Sequence, residues 1–143
     1  MEFTLEDLKK MMDENGGDLD LRGTGITSLP EGLTVGGWLD LEGCTGITSL
    51  PNGLTVGRSL NLLGTGITTL PEGLTVGGSI YLLATGITYL PEGLTVGGSL
   101  DLAACKGITY LPDGLTVGGW LDIRGTRITS LPEGLKVKYN IYR

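Results

Sequence analysis

The chain has no histidine, a single phenylalanine, two cysteines and six prolines among its 143 residues. Without imidazole it lacks the commonest general base, the serine–histidine and cysteine–histidine nucleophile systems, and most transition-metal sites. Charged residues are also sparse at 18%, sixteen acidic against ten basic, for a net charge of −6. That balance opposes a nucleic-acid partner, because phosphate binding needs surplus Lys and Arg on one face. No stretch approaches the roughly 18 apolar residues of a membrane span. The opening Met1-Glu2-Phe3-Thr4 has neither a basic n-region nor an apolar h-region. No secretion signal is visible, and cytoplasmic synthesis is expected.

What is abundant is glycine, 26 residues, and it recurs at fixed places. A strand-starting residue falls at Leu19, Leu39, Leu60, Ile80, Leu100 and Leu121, so successive steps are 20, 21, 20, 20 and 21 residues. A fixed period of this size predicts a solenoid, whose units bury their apolar faces only against their neighbours. Each unit holds three short apolar pieces. Leu-x-Leu, as in Leu39-Asp40-Leu41, alternates and so turns both leucines inward and the middle residue outward. Ile-Thr-x-Leu-Pro, as in Ile47 to Pro51, ends regular pairing at its proline. Leu-Thr-Val, as in Leu54 to Val56, leads into a glycine pair that turns the chain toward the next unit.

The length fits one domain, divided into residues 1–17 as an N-terminal capping helix, 18–134 as six repeats, and 135–143 as a C-terminal capping strand. The helix reads from 3 to 15. Thr4 is its N-cap with Asp7 three residues on, Phe3 is placed to staple against Leu8, and Leu5, Leu8, Met11 and Met12 make one apolar stripe. Asn15-Gly16-Gly17 supplies a left-handed stop. Placed before the first repeat, the helix reads as a lid over the core. At the other end Lys138 and Tyr139 replace the glycine pair ahead of Ile141. Lysine on a terminal strand discourages further pairing, so both ends are expected to be capped.

The string Leu-x-Leu-x-x-Thr/Cys-x-Ile-x-x-Leu-Pro resembles leucine-rich repeats, particularly the short type of secreted bacterial effectors, over about residues 18 to 142. The resemblance implies a mainly β arc, with a parallel concave sheet of about seven short strands and partner recognition on that side. Thr24, Thr65, Thr85 and Thr126 stand where that family usually has asparagine, and Cys44 and Cys105 hold the same slot in the two 21-residue units. A buried threonine hydroxyl both donates and accepts, so it can serve the turn as asparagine does. Glycine stands where the family has leucine three residues before the strand. This leaves a three-faced parallel β-helix as the alternative cross-section.

Chemistry is mostly absent. Cys44 and Cys105 lie three units apart, about 14 Å at the spacing of stacked strands, beyond disulfide reach; they read as reduced packing residues. Glu31, Asn52, Glu72, Glu92, Asp113 and Glu133 form a column on the Pro-x-Gly turns, read as a solvated edge rather than a calcium site. Asp20, Asp40 and Glu42 are the nearest approach to a carboxylate pair, but nothing leaves the repeat to build a cleft around them. Neither enzyme activity, cofactor nor metal is expected.

Variation between units gathers at three outward columns. Before the strand leucine stand Asp18, Trp38, Ser59, Ser79, Ser99, Trp120 and Asn140; between the leucines, Asp20, Asp40, Asn61, Tyr81, Asp101, Asp122 and Tyr142; after them, Arg22, Glu42, Leu63, Leu83, Ala103 and Arg124. Exposed apolar residues framed by polar ones mark interaction surfaces, and Trp and Tyr are favoured anchors. The expected partner-binding residues are therefore Trp38, Asp40, Asn61, Leu63, Tyr81, Leu83, Asp101, Ala103, Trp120 and Asp122. The expected function is non-catalytic capture of a protein or peptide, with a homodimer through the same face as a variant. A self-associating structural solenoid is the alternative.

Overall fold

Leu-x-Leu and Thr-Val recur once per unit, and in three dimensions each recurrence lands directly beside the last. The computed structural model describes residues 2–143. It opens with helix α1 (Leu5–Glu14). Two-residue strands follow: β1 (Leu19–Asp20), β2 (Thr34–Val35), β3 (Leu39–Asp40), β4 (Thr55–Val56), β5 (Leu60–Asn61), β6 (Thr75–Val76) and β7 (Ile80–Tyr81). The chain continues through β8 (Thr95–Val96), β9 (Leu100–Asp101), β10 (Thr116–Val117), β11 (Leu121–Asp122), β12 (Lys136–Val137) and β13 (Ile141–Tyr142).

The odd-numbered strands form one seven-stranded parallel sheet in chain order, and the even-numbered strands a second parallel sheet of six. Registers run straight across: Leu19, Leu39, Leu60, Ile80, Leu100, Leu121 and Ile141 make one row, and Asp20, Asp40, Asn61, Tyr81, Asp101, Asp122 and Tyr142 the next. The molecule is thus a mainly β parallel solenoid of about six rungs. Along the remaining side the Ile-Thr-x-Leu segments also touch between rungs, through one Thr69–Tyr89 bridge and bonds such as Gly66 N–H to the Ile47 carbonyl at 2.9 Å. Proline follows at once in every unit, so this side never lengthens into a sheet.

Each rung fills the interior with the same six side chains. In the rung of β3 they are Leu39, Leu41, Ile47, Leu50, Leu54 and Val56, all buried. Thr24, Thr65 and Thr126 donate their hydroxyls to the carbonyls of Leu21, Leu62 and Ile123 at 2.6–2.7 Å. In the longer units the thiol reaches across instead: Cys44 donates to the Leu21 carbonyl and Cys105 to that of Leu82, at 3.2 and 2.9 Å. Both cysteines are free and buried, and burial pushes their thiols up from the ordinary range.

α1 has the expected capping box: Thr4 Oγ1 accepts from Asp7 N–H while the Asp7 carboxylate accepts from Thr4 N–H. Leu8 and Met12 enter the core, with Phe3 and Met11 packed at its margin. Leu5 departs from the expected stripe. It is 37% exposed, although its spacing from Leu8 and Met12 puts it on the same face of the helix. At the far end Ile128, Leu131, Leu135, Val137 and Ile141 are only half-buried.

Candidate ligand-binding face

Strand alternation decides which side chains leave the seven-stranded sheet. Ile80 and Leu82 are fully buried, Tyr81 between them is half-buried, and Leu83 is 42% exposed. The same order holds in the neighbouring rungs, so Trp38, Asp40, Asn61, Leu63, Tyr81, Asp101, Ala103, Trp120 and Asp122 share one outer wall with Leu83. All remain at least partly accessible except Asp122, which is 5% exposed.

The row between the leucines has a structural duty that alternation alone does not reveal. Asp20, Asp40, Asn61, Asp101 and Asp122 each use Oδ1 to accept the backbone N–H two residues on, at 3.0–3.1 Å. These Asx turns end each strand and turn the chain off the sheet. Two of them are reinforced by arginine. Arg22 pairs with Asp20 at 2.8 Å and reaches Asp40 at 3.5 Å, and Arg124 holds Asp122 at 2.6 Å. The guanidinium bonds keep the Asp20 and Asp122 carboxyls below their ordinary range. Asp40, Asn61, Asp101 and Asp122 therefore offer a partner less than their side chains suggest.

Tyr81 interrupts this row and cannot hold such a turn. Three residues later Ala84 has φ 56°, in the left-handed region that Gly23, Gly43, Gly64 and Gly125 occupy in other rungs. That conformation costs a residue with a Cβ roughly 1–2 kcal/mol. The rung of β9 shares the second feature, with Ala104 at φ 60°, but keeps the Asp101 turn; the rung of β7, which carries Tyr81 and Leu83, lacks both the side-chain acceptor and the glycine.

The column before the strand leucine is an interlock between rungs. Asp18 Oδ1 accepts from Trp38 N–H at 2.9 Å, and the hydroxyls of Ser59, Ser79 and Ser99 accept from the N–H groups of Ser79, Ser99 and Trp120 at 2.9–3.1 Å. Each acceptor fills the space beside the residue preceding its donor. A Cβ built at Gly37, Gly78, Gly98 or Gly119 would lie 1.9–2.8 Å from that oxygen. Glycine is therefore obligatory one rung after Asp or Ser. Where tryptophan replaces the acceptor the demand lapses: Arg58 follows Trp38, and Tyr139 follows Trp120. The Ser–Gly interlock explains why the counterparts of Arg58 are glycine.

Trp38 and Arg58 meet in one groove of about 320 Å³ across β3, β5 and β7, lined also by Asp40, Ser59, Asn61 and Tyr81. Four of these side chains were read from the sequence as contact residues. Arg58 and Ser59 were not, although Arg58 in place of the second glycine of a pair was a signal for the first. The other aromatic cluster stands at the far end of the wall. Trp120 packs edge-on against Tyr142 with ring centroids 6.2 Å apart, and Arg124 lies over the Tyr142 ring at 5.3 Å. Trp120 is thus occupied by its own neighbours, whereas no ring contact engages Trp38 among the described residues.

Among the described residues no group of three or more His, Cys, Asp or Glu is placed to hold a metal ion, and no helix is long and apolar enough to cross a membrane. The chain matches no protein-family model, no curated protein and no solved structure.

Proposed function

We propose that the chain is a non-catalytic leucine-rich-repeat scaffold that binds a protein or peptide on the wall formed by its seven-stranded sheet. One observation carries this: Tyr81 and Leu83 project from the rung that forgoes both the turn-holding carboxylate and the turn glycine. Unfavourable backbone geometry tends to be retained where a site depends on it. The interior strands already spend their N–H and C=O groups on each other, so a partner would be recognised through side chains. Trp38, Leu63, Tyr81 and Leu83 are the anchors this wall supplies. The second, six-stranded sheet supports the three-faced β-helix as the alternative cross-section; either leaves the wall intact.

Changing Trp38, Tyr81 and Leu83 together to Ala should abolish partner capture with the thermal melt nearly unmoved, since none of the three is a core residue and alanine at 38 brings no oxygen into the space of the Arg58 Cβ. Capture by the variant at wild-type strength would sink the reading. A second reading, self-association through the ends, is favoured by the half-buried apolar residues and unpaired strand edges of the last rung. Its test is concentration-dependent protection of that rung.

A further inference from the structure

We infer that the groove between Trp38 and Tyr81 is a subsite for a single Asp or Glu side chain of an extended peptide, its carboxylate held by the Arg58 guanidinium. This rests on the peptide-binding reading of the same wall and names the chemistry of one position in the partner. Three observations carry it.

The first is the paired departure from the repeat. Arg58 is tolerated only because Trp38 has replaced the Ser or Asp whose oxygen would occupy the space of its Cβ. That replacement leaves the Ser59 N–H without the side-chain acceptor that Ser79, Ser99 and Trp120 enjoy. Both departures line one groove.

The second is the inventory of donors and acceptors. The acceptors in the groove are engaged: Asp40 faces the Glu42 N–H at 3.0 Å and Arg22 at 3.5 Å, and Asn61 Oδ1 accepts from Leu63 N–H at 3.1 Å. The Asn61 amide nitrogen in turn donates to Glu42 at 3.3 Å. The donors are free. Among the described residues the Arg58 guanidinium, Trp38 indole N–H and Tyr81 hydroxyl make no hydrogen bond, and the Ser59 hydroxyl accepts but does not donate. A ligand filling this groove must bring acceptors.

The third is charge. Arg22 and Arg124 are committed to aspartates, while Arg58 has no ion pair among the described residues. It is the only cationic residue between Arg22 and Lys106. A planar fork suits a carboxylate, which it can bind bidentately. One unpaired cation in a groove that Asp40 also lines matches a monoanion better than a phosphate dianion. The aromatic walls would pack the apolar stem and the neighbouring residues of the peptide.

The test is an array of acetylated, amidated octapeptides with randomised flanks and a central Glu, Gln, Lys or phosphoserine. It is probed with wild-type protein, Arg58→Gln, Arg58→Lys and the Trp38/Tyr81/Leu83 triple variant. The wild type should retain Glu-centred peptides at least tenfold better than Gln-centred ones. Arg58→Gln should erase that preference with an unchanged melt, and Arg58→Lys should keep only part of it. Equal retention of Glu and Gln centres, or preference for Lys or phosphoserine, overturns the carboxylate assignment. If retention is indifferent to the centre yet lost in the triple variant, the binding wall stands and this subsite does not. No retention by the wild type removes both.

Discussion

A side-chain oxygen and a β-carbon cannot occupy one space, and four rungs of this chain answer that rule with glycine. At Gly119 the conflict is with Ser99 Oγ at 2.2 Å and with backbone atoms at 2.9–3.0 Å. Gly119→Ala should therefore cost about 1–3 kcal/mol, the usual penalty for overfilling a packed site. Arg58→Gly restores the common residue at an exposed position and should stay within about 0.5 kcal/mol of wild type. Urea unfolding of both variants checks the contrast; equal losses would mean the interlock is not what demands glycine. At this scale the sequence was partly legible. Alternation put Asp40, Asn61 and Asp101 outward correctly, because period two is a property of every strand. It could not show that their oxygens bend back to the N–H two residues on, since an Asx turn depends on local torsions that the residue name alone leaves open. The same limit hid Ser59, which looks like any surface serine until the rung above is seen to donate to it.

Among the elements, α1 separates contributions that the sequence lumped together. Its four apolar residues read as one stripe, yet only Leu8 and Met12 are buried and Leu5 stays outside. Leu8→Ala should cost about 2–5 kcal/mol, the range for emptying a buried leucine site, and Leu5→Ala within about 0.5 kcal/mol. Thr4→Ala, which removes the hydroxyl half of the capping box and leaves the backbone N–H bond to Asp7, belongs between them at about 0.5–2 kcal/mol. Chemical denaturation of the three variants should return that order. A larger loss for Leu5 than for Leu8 would contradict the way the helix sits on the first rung. The cap was legible because its rule is written in four consecutive residues. The buried face was less so, because a stripe does not say which of its edges meets the core.

On the scale of the whole molecule the seven strand starts from Leu19 to Ile141 all fell where the period placed them, because stacking in register leaves one arrangement that buries every Leu-x-Leu pair. The six-stranded second sheet was not legible. Leu-Thr-Val reads as a short apolar piece before a glycine turn, and only the three-faced β-helix alternative implied that its copies would pair. In a solenoid each rung is stabilised by contact with its neighbours, so protection should be uneven. Backbone amides of residues 135–143 should exchange with deuterium faster than those of the rungs from β5 to β9. Protection at the last rung that climbs with protein concentration would favour end-to-end association; a flat dependence would remove that second reading. The Ser–Gly interlock reaches further than stability. Because one position of each rung is constrained by a residue in the rung before it, the units are not freely interchangeable modules. A duplication that set a serine-bearing unit directly ahead of Arg58 would drive a hydroxyl into its β-carbon. The lineage of such arrays is thereby bound by a grammar of adjacency, in which tryptophan gives the next unit licence to carry a side chain.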